Sequence, residues 1–397
     1  MNDAVEQETV TARHSAADRA CIPYGRQTIE EDDIRAVDEV LRSDWLTTGP
    51  RIAEFEAAVS RFVGATCGVA VNSGTAGLHS AMNALGIGPG DEVIVPPLTF
   101  AATANSVVYT GARPVFADVE PDTLLIDPAR AEAKITPRTR AIIGVDYAGH
   151  PCDWDALRDI AARRRLALVA DACHALGAKY RGRPVGALAD LTVFSFHPVK
   201  HITTGEGGMV VTEDPALAAS MRTFRNHGMT ADHRQRNDQG SWYYEIRSLG
   251  YNYRITDFQC ALGISQLRRL PAWLARRREL AASYAAALAD VPWLRPLSLR
   301  PEVVHAYHLY VVELTPAARP LSRAQLFGLL RDAGIGVNVH YIPVHLHPFY
   351  RERFGTGPGL CPVAEAAYER ILSLPLYAGM KDSEQGAVIA ALKGARR

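Results

Sequence analysis

Short apolar runs alternate with amphipathic stretches from about residue 29 to residue 215. Runs of this kind between turn residues are typical of strands buried on both faces: CGVAV (67–71), GDEVIVPP (90–97), ARPVFADV (112–119), TRAIIGVDYAG (139–149), RLALVADACHA (165–175) and LTVFSF (191–196). DWDALRDIAARRR (153–165) has the helical period and begins at the N-cap Asp153, and TIEEDDIRAVDEVLRS (28–43) predicts a helix with Thr28 as N-cap and Glu31 completing a capping box. The alternation predicts an α/β fold with a doubly wound, mainly parallel sheet.

The pattern changes after about residue 265. A long helical stretch that contains Pro271 comes first, and a strand, a helix and another strand are then predicted: LRRLPAWLARRRELAASYAAALADV (267–291), YHLYVVEL (307–314), SRAQLFGLLRDAGI (322–335) and GVNVHYIPV (336–344). This order is typical of a smaller α+β unit. The sequence therefore predicts a flexible N-terminal tail (1–21), a large α/β domain (22–265) and a small C-terminal α+β domain (266–397).

Composition excludes several classes of protein. Of 397 residues, 48% are hydrophobic and 22% charged, and Lys+Arg equals Asp+Glu at 43, so nothing in the charge balance indicates binding to nucleic acid or to an anionic membrane. The six cysteines are far apart, which argues against a disulfide framework and fits a reducing compartment. No run of about 18 apolar residues exists, and the polar N-terminus resembles no secretory signal, so we expect a soluble cytoplasmic protein. We expect the arginine runs 163–165 and 276–278 on solvated helix faces.

One lysine stands out in SFHPVKHITTGEGG (195–208). The chain has 5 lysines and 38 arginines, so Lys200 follows an apolar strand where this chain normally uses arginine for charge alone. A surface lysine just past a strand end is the ordinary interpretation. The alternative is a nucleophilic amine, because a lysine in a partly desolvated pocket can lose its proton and arginine cannot.

Three further stretches support the nucleophilic interpretation. In NSGTAGLHS (72–80), Ser73, Gly74 and Thr75 fall at the start of a predicted helix, where free backbone N–H groups and the helix dipole favour a phosphate. Asp171 ends the strand LALVAD, and a carboxylate there can keep a heterocyclic nitrogen protonated, although a helix cap is an equal alternative. LGYNYRITD (249–257) mixes aromatic and polar residues, which is unusual for a core helix but compatible with a loop before one.

Pyridoxal 5'-phosphate (PLP) requires these parts together. Its phosphate needs an anion-binding turn, its pyridine nitrogen needs a carboxylate partner, and its aldehyde needs an amine with which to form a Schiff base. Parallel sheets collect such groups at the carboxyl ends of their strands, where Asp171, Ser195 and Lys200 fall. The order SGT, Asp and Ser-x4-Lys is far more specific than any single member. The sequence therefore predicts a PLP site in the large domain.

The chain resembles the DegT/DnrJ/EryC1/StrS sugar aminotransferases, which have the aspartate-aminotransferase fold (PLP fold type I). The resemblance runs from about Ile22 to near the C-terminus and rests on WLTTGPRIAEFE, NSGTAGLH, PPLTFAATAN, DACHALGA, SFHPVKHITTGEGG, RNHGM and LGYNYRITDFQCALG. FHPVK, GEGG and the YNYR block are most similar to UDP-4-amino-4,6-dideoxy-N-acetyl-beta-L-altrosamine transaminases of the pseudaminic acid route. The resemblance implies amino transfer from L-glutamate to a nucleotide-linked 4-keto-6-deoxysugar, in two stages.

The resemblance also implies roles for the matching residues. Lys200 matches the lysine that forms a Schiff base with PLP, Asp171 the partner of the pyridine nitrogen, and Ser73, Gly74, Thr75 and Ser195 the phosphate ligands. Phe100 matches an aromatic ring over one face of PLP, Cys173 a small residue on the other face, and His174 a neighbour of the phenolic oxygen. Asn252 matches an asparagine given to the phosphate of the neighbouring subunit, which implies a homodimer with shared active sites. The expected substrate-binding residues are Thr47, Tyr251, Arg254, His308 and Tyr341.

Two positions depart from that pattern. His201 follows the lysine where relatives on the pseudaminic acid route often have proline, and Cys173 is bulkier than the usual alanine. The histidines of VHYIPVHLHPFY (339–350) have no recognised ligand spacing, so we expect no metal site. The family resemblance implies that this stretch is a loop that lines the sugar pocket.

Other functions within the same fold stay open at this point. A dTDP-ketosugar could replace the UDP-sugar, with amination at C3 or C4. Relatives that remove water from the sugar carry histidine in place of the lysine, and Lys200 argues against that chemistry. A non-catalytic regulatory or scaffold protein has no use for the amine.

Overall fold

A seven-stranded sheet forms the centre of the fold. The computed structural model describes residues 21–238 and 240–395, and thirteen strands lie within them: β1 Cys67–Val71, β2 Glu92–Val95, β3 Arg113–Phe116, β4 Thr139–Val145, β5 Ala167–Asp171, β6 Lys179–Tyr180, β7 Arg183–Pro184, β8 Leu191–Ser195, β9 Gly208–Thr212, β10 Leu294–Pro296, β11 Val303–Val304, β12 Tyr310–Leu314 and β13 Ile371–Leu374. The large sheet has the order β1-β9-β8-β5-β4-β2-β3, and only β9 runs against its neighbours. The predicted α/β class and the mainly parallel sheet are confirmed.

Helices flank this sheet and a smaller one. Thirteen α-helices lie within the described residues: α1 Glu31–Leu41, α2 Pro50–Val63, α3 Gly74–Ala84, α4 Ala102–Tyr109, α5 Pro128–Ala133, α6 Trp154–Arg164, α7 Pro215–Phe224, α8 His233–Asp238, α9 Asp257–Leu288, α10 Arg323–Asp332, α11 Pro348–Phe354, α12 Pro362–Tyr368 and α13 Asp382–Gly394. None of the described helices combines the length and the apolar character that a bilayer crossing requires.

The second sheet has three strands and belongs to the C-terminal part of the chain. Its order is β10-β12-β13, and a second apolar cluster packs between it and the C-terminal half of α9. The predicted domain boundary at residue 265 falls within α9, which contacts elements of both parts. The division into domains stays a prediction, and residues 1–20 of the predicted tail lie outside the described residues.

Three local predictions are wrong. Helix α1 is capped by Glu30 and not by Thr28, because Glu30 and Asp33 exchange side-chain and backbone hydrogen bonds across the first turn. The stretch 336–344 forms no strand: a single bridge joins Asn338 to Ser373, and side-chain hydrogen bonds and isolated backbone hydrogen bonds hold the rest.

Arg277 is the third error, because it is buried and not solvated. Its guanidinium donates to the carbonyl oxygens of Tyr307 (3.1 Å) and Leu376 (3.0 Å), which lie on the small-sheet side of α9. Burial lowers the pKa of Arg277 to about 10. The hydrogen bonds to carbonyl groups replace the water that an exposed arginine would have.

Candidate active site

The first turn of α3 offers free hydrogen-bond donors. Ser73 is the N-cap, and its hydroxyl accepts from the N–H of Ala76 at 3.0 Å. Within the part of the chain that the structure describes, the N–H groups of Gly74 and Thr75 have no acceptor. Two free N–H groups at the positive end of a helix dipole favour a phosphate group.

Gly74 allows this turn to approach the end of β8. A Cβ atom on Gly74 would lie 3.0 Å from Cβ of Ser195 and 3.2 Å from Sγ of Cys173, tighter than ordinary contacts. Any larger residue would therefore push the turn away from both side chains. The short distances place the Ser195 side chain beside the free donors of α3, and its role as a phosphate ligand stays a prediction.

Asp171 lies at the carboxyl end of β5 in a small network of hydroxyl groups. Its Oδ2 accepts from Oγ1 of Thr103 at 2.6 Å, and its Oδ1 accepts from the N–H of Cys173 at 3.3 Å. Thr103 Oγ1 is also 2.6 Å from Thr99 Oγ1, so Thr99 is the donor in that pair. These bonds hold the carboxylate in one orientation.

Thr99 and Thr103 were not predicted as site residues. Both belong to the motif PPLTFAATAN (96–105), of which only Phe100 was singled out. Thr103 lies in the first turn of α4 and Thr99 lies in the segment before it, so no helical spacing indicated that the two hydroxyls meet. Their partner Asp171 is 68 residues away from Thr103, and only the folded chain reveals that contact.

Lys200 follows β8, and its amine lies beside the ring of a histidine. Its Nζ lies 3.4 Å from Nε2 of His308. Burial lowers the pKa of the ammonium group, and the charges of nearby Cys173 and Asp171 oppose that shift. Burial also holds the pKa of His308 well below its usual value, so His308 is neutral beside the amine. A lysine in these surroundings loses its proton more easily than one in water.

The hydrogen bonds of His174 define its tautomer. The N–H of Ala148 donates to Nδ1 of His174 at 3.3 Å, so Nε2 carries the ring proton, because burial holds the pKa of the ring well below its usual value. Nε2 is 3.1 Å from the hydroxyl of Tyr341, to which it donates. The Tyr341 hydroxyl therefore keeps its own proton free for a further acceptor.

The predicted substrate residues form two groups. His308 and Tyr341 lie beside Lys200 and His174, and the ring of His308 is 4.3 Å from that of His174. The other group surrounds the loop before α9: a β-bridge joins Thr47 to Thr256, Arg254 donates to Oδ1 of Asn226 at 2.8 Å, and the ring of Tyr251 stacks on that of Tyr253. Asn252, which was predicted to bind the cofactor, lies in the same loop and forms a β-bridge with Asn226.

Phe100 and Asn252 are both exposed. The ring of Phe100 is 6.2 Å from that of Tyr341, at the open side of the site. The main chain of Asn252 accepts from the side chain of Asn72 at 3.2 Å, while its own side chain faces outward. The stacking and phosphate roles of these two residues stay predictions.

The C-terminal histidines are engaged in separate contacts. His340 is 2.8 Å from Oγ of Ser373, and His345 is 2.9 Å from Glu365. Across residues 21–238 and 240–395, no three His, Cys, Asp or Glu side chains come together as ligands of one ion. The six cysteines are free thiols.

Taken as chemistry, the site combines an anion cradle, an oriented carboxylate and a buried amine. All three lie near Cys173: its N–H donates to Asp171, its Sγ lies beside Gly74, and it is close enough to Lys200 to affect the pKa of the amine. These residues fit PLP, with the free donors of α3 for the phosphate, Asp171 for the ring nitrogen and Lys200 for the aldehyde.

Comparison with known proteins agrees with a site that fits PLP. A sequence model of the DegT/DnrJ/EryC1/StrS aminotransferase family matches residues 27–393. The spore coat polysaccharide biosynthesis protein SpsC of Bacillus subtilis is 44% identical over 374 residues, which are 94% of this chain and 96% of SpsC.

Two solved structures superpose closely on the chain. Spr1654 of Streptococcus pneumoniae, described as a sugar aminotransferase, has in its PMP form a TM-score of 0.89 at 34% identity, over 94% of this chain and 98% of that one. Its PLP form gives a TM-score of 0.88. PseC of Helicobacter pylori, an aminotransferase involved in the biosynthesis of pseudoaminic acid, gives a TM-score of 0.88 at 33% identity, over 94% of this chain and 99% of that one.

Proposed function

The chain belongs to the DegT/DnrJ/EryC1/StrS aminotransferase family, and from that membership we propose that it aminates C4 of a UDP-linked 4-keto-6-deoxy-N-acetylhexosamine with L-glutamate as donor. The protein is a PLP-dependent sugar aminotransferase. The similarity to PseC and SpsC, whose names refer to a sugar acid and a coat polysaccharide, supports the finer proposal. We also propose a cytoplasmic location, which the free thiols support.

One observation carries the proposal: a buried lysine amine stands 3.4 Å from a neutral histidine, among groups that fit PLP. When bound, PLP supplies the aldehyde that takes the amino group and the ring that holds the electron pair left on the substrate carbon. Lys200 takes the proton from the substrate carbon and returns a proton later, since its lowered pKa leaves part of the amine unprotonated. Asp171 keeps the proton on the pyridine nitrogen.

The neutral side chains orient the reacting groups. The Nε2–H of His174 donates to Tyr341, whose hydroxyl proton is then free for an acceptor on a bound molecule. We propose that this hydroxyl and His308 contact the sugar beside Lys200. Removing water from this pocket strengthens each of these hydrogen bonds, because the local dielectric constant falls.

The loop before α9 supports a homodimer. Several large apolar side chains lie exposed just before Asn252, including Trp242 (85% exposed), Leu249 (76%) and Ile246 (68%). A patch of this kind is rare on a monomer and is typical of a surface that another chain covers. We propose that a second copy covers it, and that Asn252 and Arg254 then reach the partner's phosphate group and nucleotide.

A cavity of about 410 Å³ beside Arg254 supports the nucleotide link. Arg222 and Arg225 also line it, and both are paired with Glu56. Arg254 makes no ion pair among the described residues and bonds only the amide of Asn226. An unpaired guanidinium at the wall of a cavity suits a diphosphate, which accepts charge-assisted hydrogen bonds.

The substrate is tested with a panel of ketosugars. We expect the PLP-loaded protein with L-[15N]glutamate to convert a UDP-4-keto-6-deoxy-N-acetylhexosamine into a 15N-labelled 4-amino sugar, measured by mass spectrometry and NMR. The matching dTDP-ketosugar without the N-acetyl group should react at least about fivefold more slowly, since one lost polar contact costs about 1–3 kcal/mol. Equal or faster turnover of the dTDP-sugar, or label at C3, would contradict the finer proposal.

Shared sites are tested by complementation. Lys200→Ala and Asn252→Asp should each be inactive or strongly impaired, the second because a new carboxylate would repel the phosphate group. After subunit exchange, half the dimers are mixed, and each holds one site with both lesions and one with neither. We expect about a quarter of the wild-type activity to return. No recovery, with exchange shown by differently tagged chains, would mean that Asn252 serves its own subunit.

A further inference from the structure

A second cavity lies between α9 and the segment 296–311, and Tyr147 and Ala148 also line it. Its volume is about 460 Å³, in the range of small-molecule sites. One wall is a single face of α9, on which Arg278 and three alanines recur at the helical spacing: Arg278, Ala281, Ala282 and Ala285. The methyl side chains leave the space open, and the arginine is the one charged side chain among the described residues that line it.

Arg278 has no acidic partner. Its Nε donates to the carbonyl oxygen of His305 at 3.2 Å, and no carboxylate in the described part of the chain lies within ion-pair distance. Arg278 is half-buried, and burial lowers its pKa from the usual value. A partly dehydrated cation without a counter-ion costs free energy, which an anionic ligand would recover.

Tyr310 and His305 also line this cavity. Tyr310 is 4% exposed, and its hydroxyl has no hydrogen-bond partner among the described residues. Nδ1 of His305 accepts from the N–H of Tyr307 at 2.7 Å, and burial holds the pKa of this ring well below its usual value. Nε2 of His305 therefore carries the ring proton. An unpartnered buried hydroxyl is rare in a folded protein and indicates a missing acceptor.

The mouth of the cavity is apolar. Leu299 and Val304 are both exposed there, beside the alanine face of α9. We propose that this cavity binds a small organic anion, whose charged group pairs with Arg278 and whose compact apolar body covers Leu299, Val304 and the alanines. Both a carboxylate and a phosphate monoester have this chemistry.

The cavity wall is coupled to the active site. Tyr307 lines the cavity, and the next residue, His308, is 3.4 Å from Nζ of Lys200. The two chain segments cross at Gly149, where a Cβ would lie 2.8 Å from the carbonyl oxygen of His174 and 2.9 Å from the nitrogen of Tyr307. Because Gly149 packs directly against the backbone of both segments, a ligand that shifts Tyr307 also shifts His174 and His308 beside the Lys200 amine. Occupancy of the cavity therefore changes the rate of amino transfer.

Calorimetric titration of the PLP-loaded protein with phenylacetate and with phenyl phosphate tests the site. At least one probe should bind at one per chain with a dissociation constant below about 1 mM. Arg278→Gln should weaken it at least about tenfold, as expected for a charge-assisted hydrogen bond. Ala282→Phe should abolish it by filling the mouth. The matched control, Arg268→Gln, removes the same charge from an exposed position of α9 and should leave binding unchanged.

The two variants separate this cavity from the active site, which also binds anions. Binding that survives both Arg278→Gln and Ala282→Phe would belong elsewhere and would overturn the proposal, as would the absence of binding by both probes. Tighter binding of phenyl phosphate would identify a phosphate monoester as the ligand class, and tighter binding of phenylacetate a carboxylate. The saturating probe should change the single-turnover rate with glutamate at least about twofold in the wild type and not in Arg278→Gln. An unchanged wild-type rate would refute the coupling.

Discussion

Lys200→Arg is expected to lower the rate of amino transfer at least about 10³-fold. Arginine keeps the positive charge, but it does not lose its proton at neutral pH and cannot form the bond to the aldehyde. Burial lowers the pKa of the Lys200 ammonium in the pocket beside His308, a shift that only a lysine can use. The measurement is the single-turnover rate with L-glutamate.

A matched variant controls for the loss of a lysine. Lys179 is exposed in β6, and Lys179→Arg should react at the wild-type rate. Lys200→Ala should be as inactive as Lys200→Arg, because both lack the primary amine, although only arginine keeps the positive charge. Near-normal turnover of Lys200→Arg would show that charge alone is needed at this position.

Asp171→Asn should slow the proton transfers of both half-reactions by about 10²–10⁴-fold while PLP stays bound. The carboxylate accepts from Thr103 at 2.6 Å and from Cys173 at 3.3 Å, so its orientation is fixed before any ligand arrives. An amide in that place cannot hold a proton on the pyridine nitrogen, and the ring then accepts electrons poorly. Stopped-flow absorbance with glutamate, and with the ketosugar in the second half-reaction, measures both rates.

Asp159→Asn is the control for this change, since Asp159 is exposed on α6. It should leave both rates unchanged. Equal melting temperatures for the two variants would exclude unfolding as the cause. If Asp171→Asn reacts with glutamate at the wild-type rate, the carboxylate has a structural task.

Much of the fold follows from local patterns. The buried strands and α6 with its N-cap Asp153 were predictable because period and capping residues act over a few positions. The cap of α1 was not predictable in this way, since Thr28 suits an N-cap better than Glu30 does and the helix start depends on the hydrogen bond from the N–H of Glu30 to the side chain of Asp33. Arg277 was missed because two carbonyl groups from distant segments surround it, which no helical period reveals.

The candidate site divides in the same way. The SGT turn and Lys200 carry local signals, a helix start and a rare lysine after a strand. The residues around the Lys200 amine carry no local signal of this kind, because His308 is 108 residues from Lys200 in sequence and Tyr341 is 167 residues from His174. Contacts at such separation depend on how β5, β8 and the C-terminal loops meet, so only the folded chain could show them.

The most direct test of the central claim asks which amine holds PLP. Borohydride reduces the carbon–nitrogen bond between a lysine and an aldehyde to a stable link, and mass spectrometry of the digested protein then finds the modified residue. The chain has only five lysines: Lys134, Lys179, Lys200, Lys381 and Lys393. We predict the label on Lys200 alone, at one per chain, and its loss after prior incubation with L-glutamate. Label on any of the other four, or label on Lys200 that glutamate does not remove, would contradict the account.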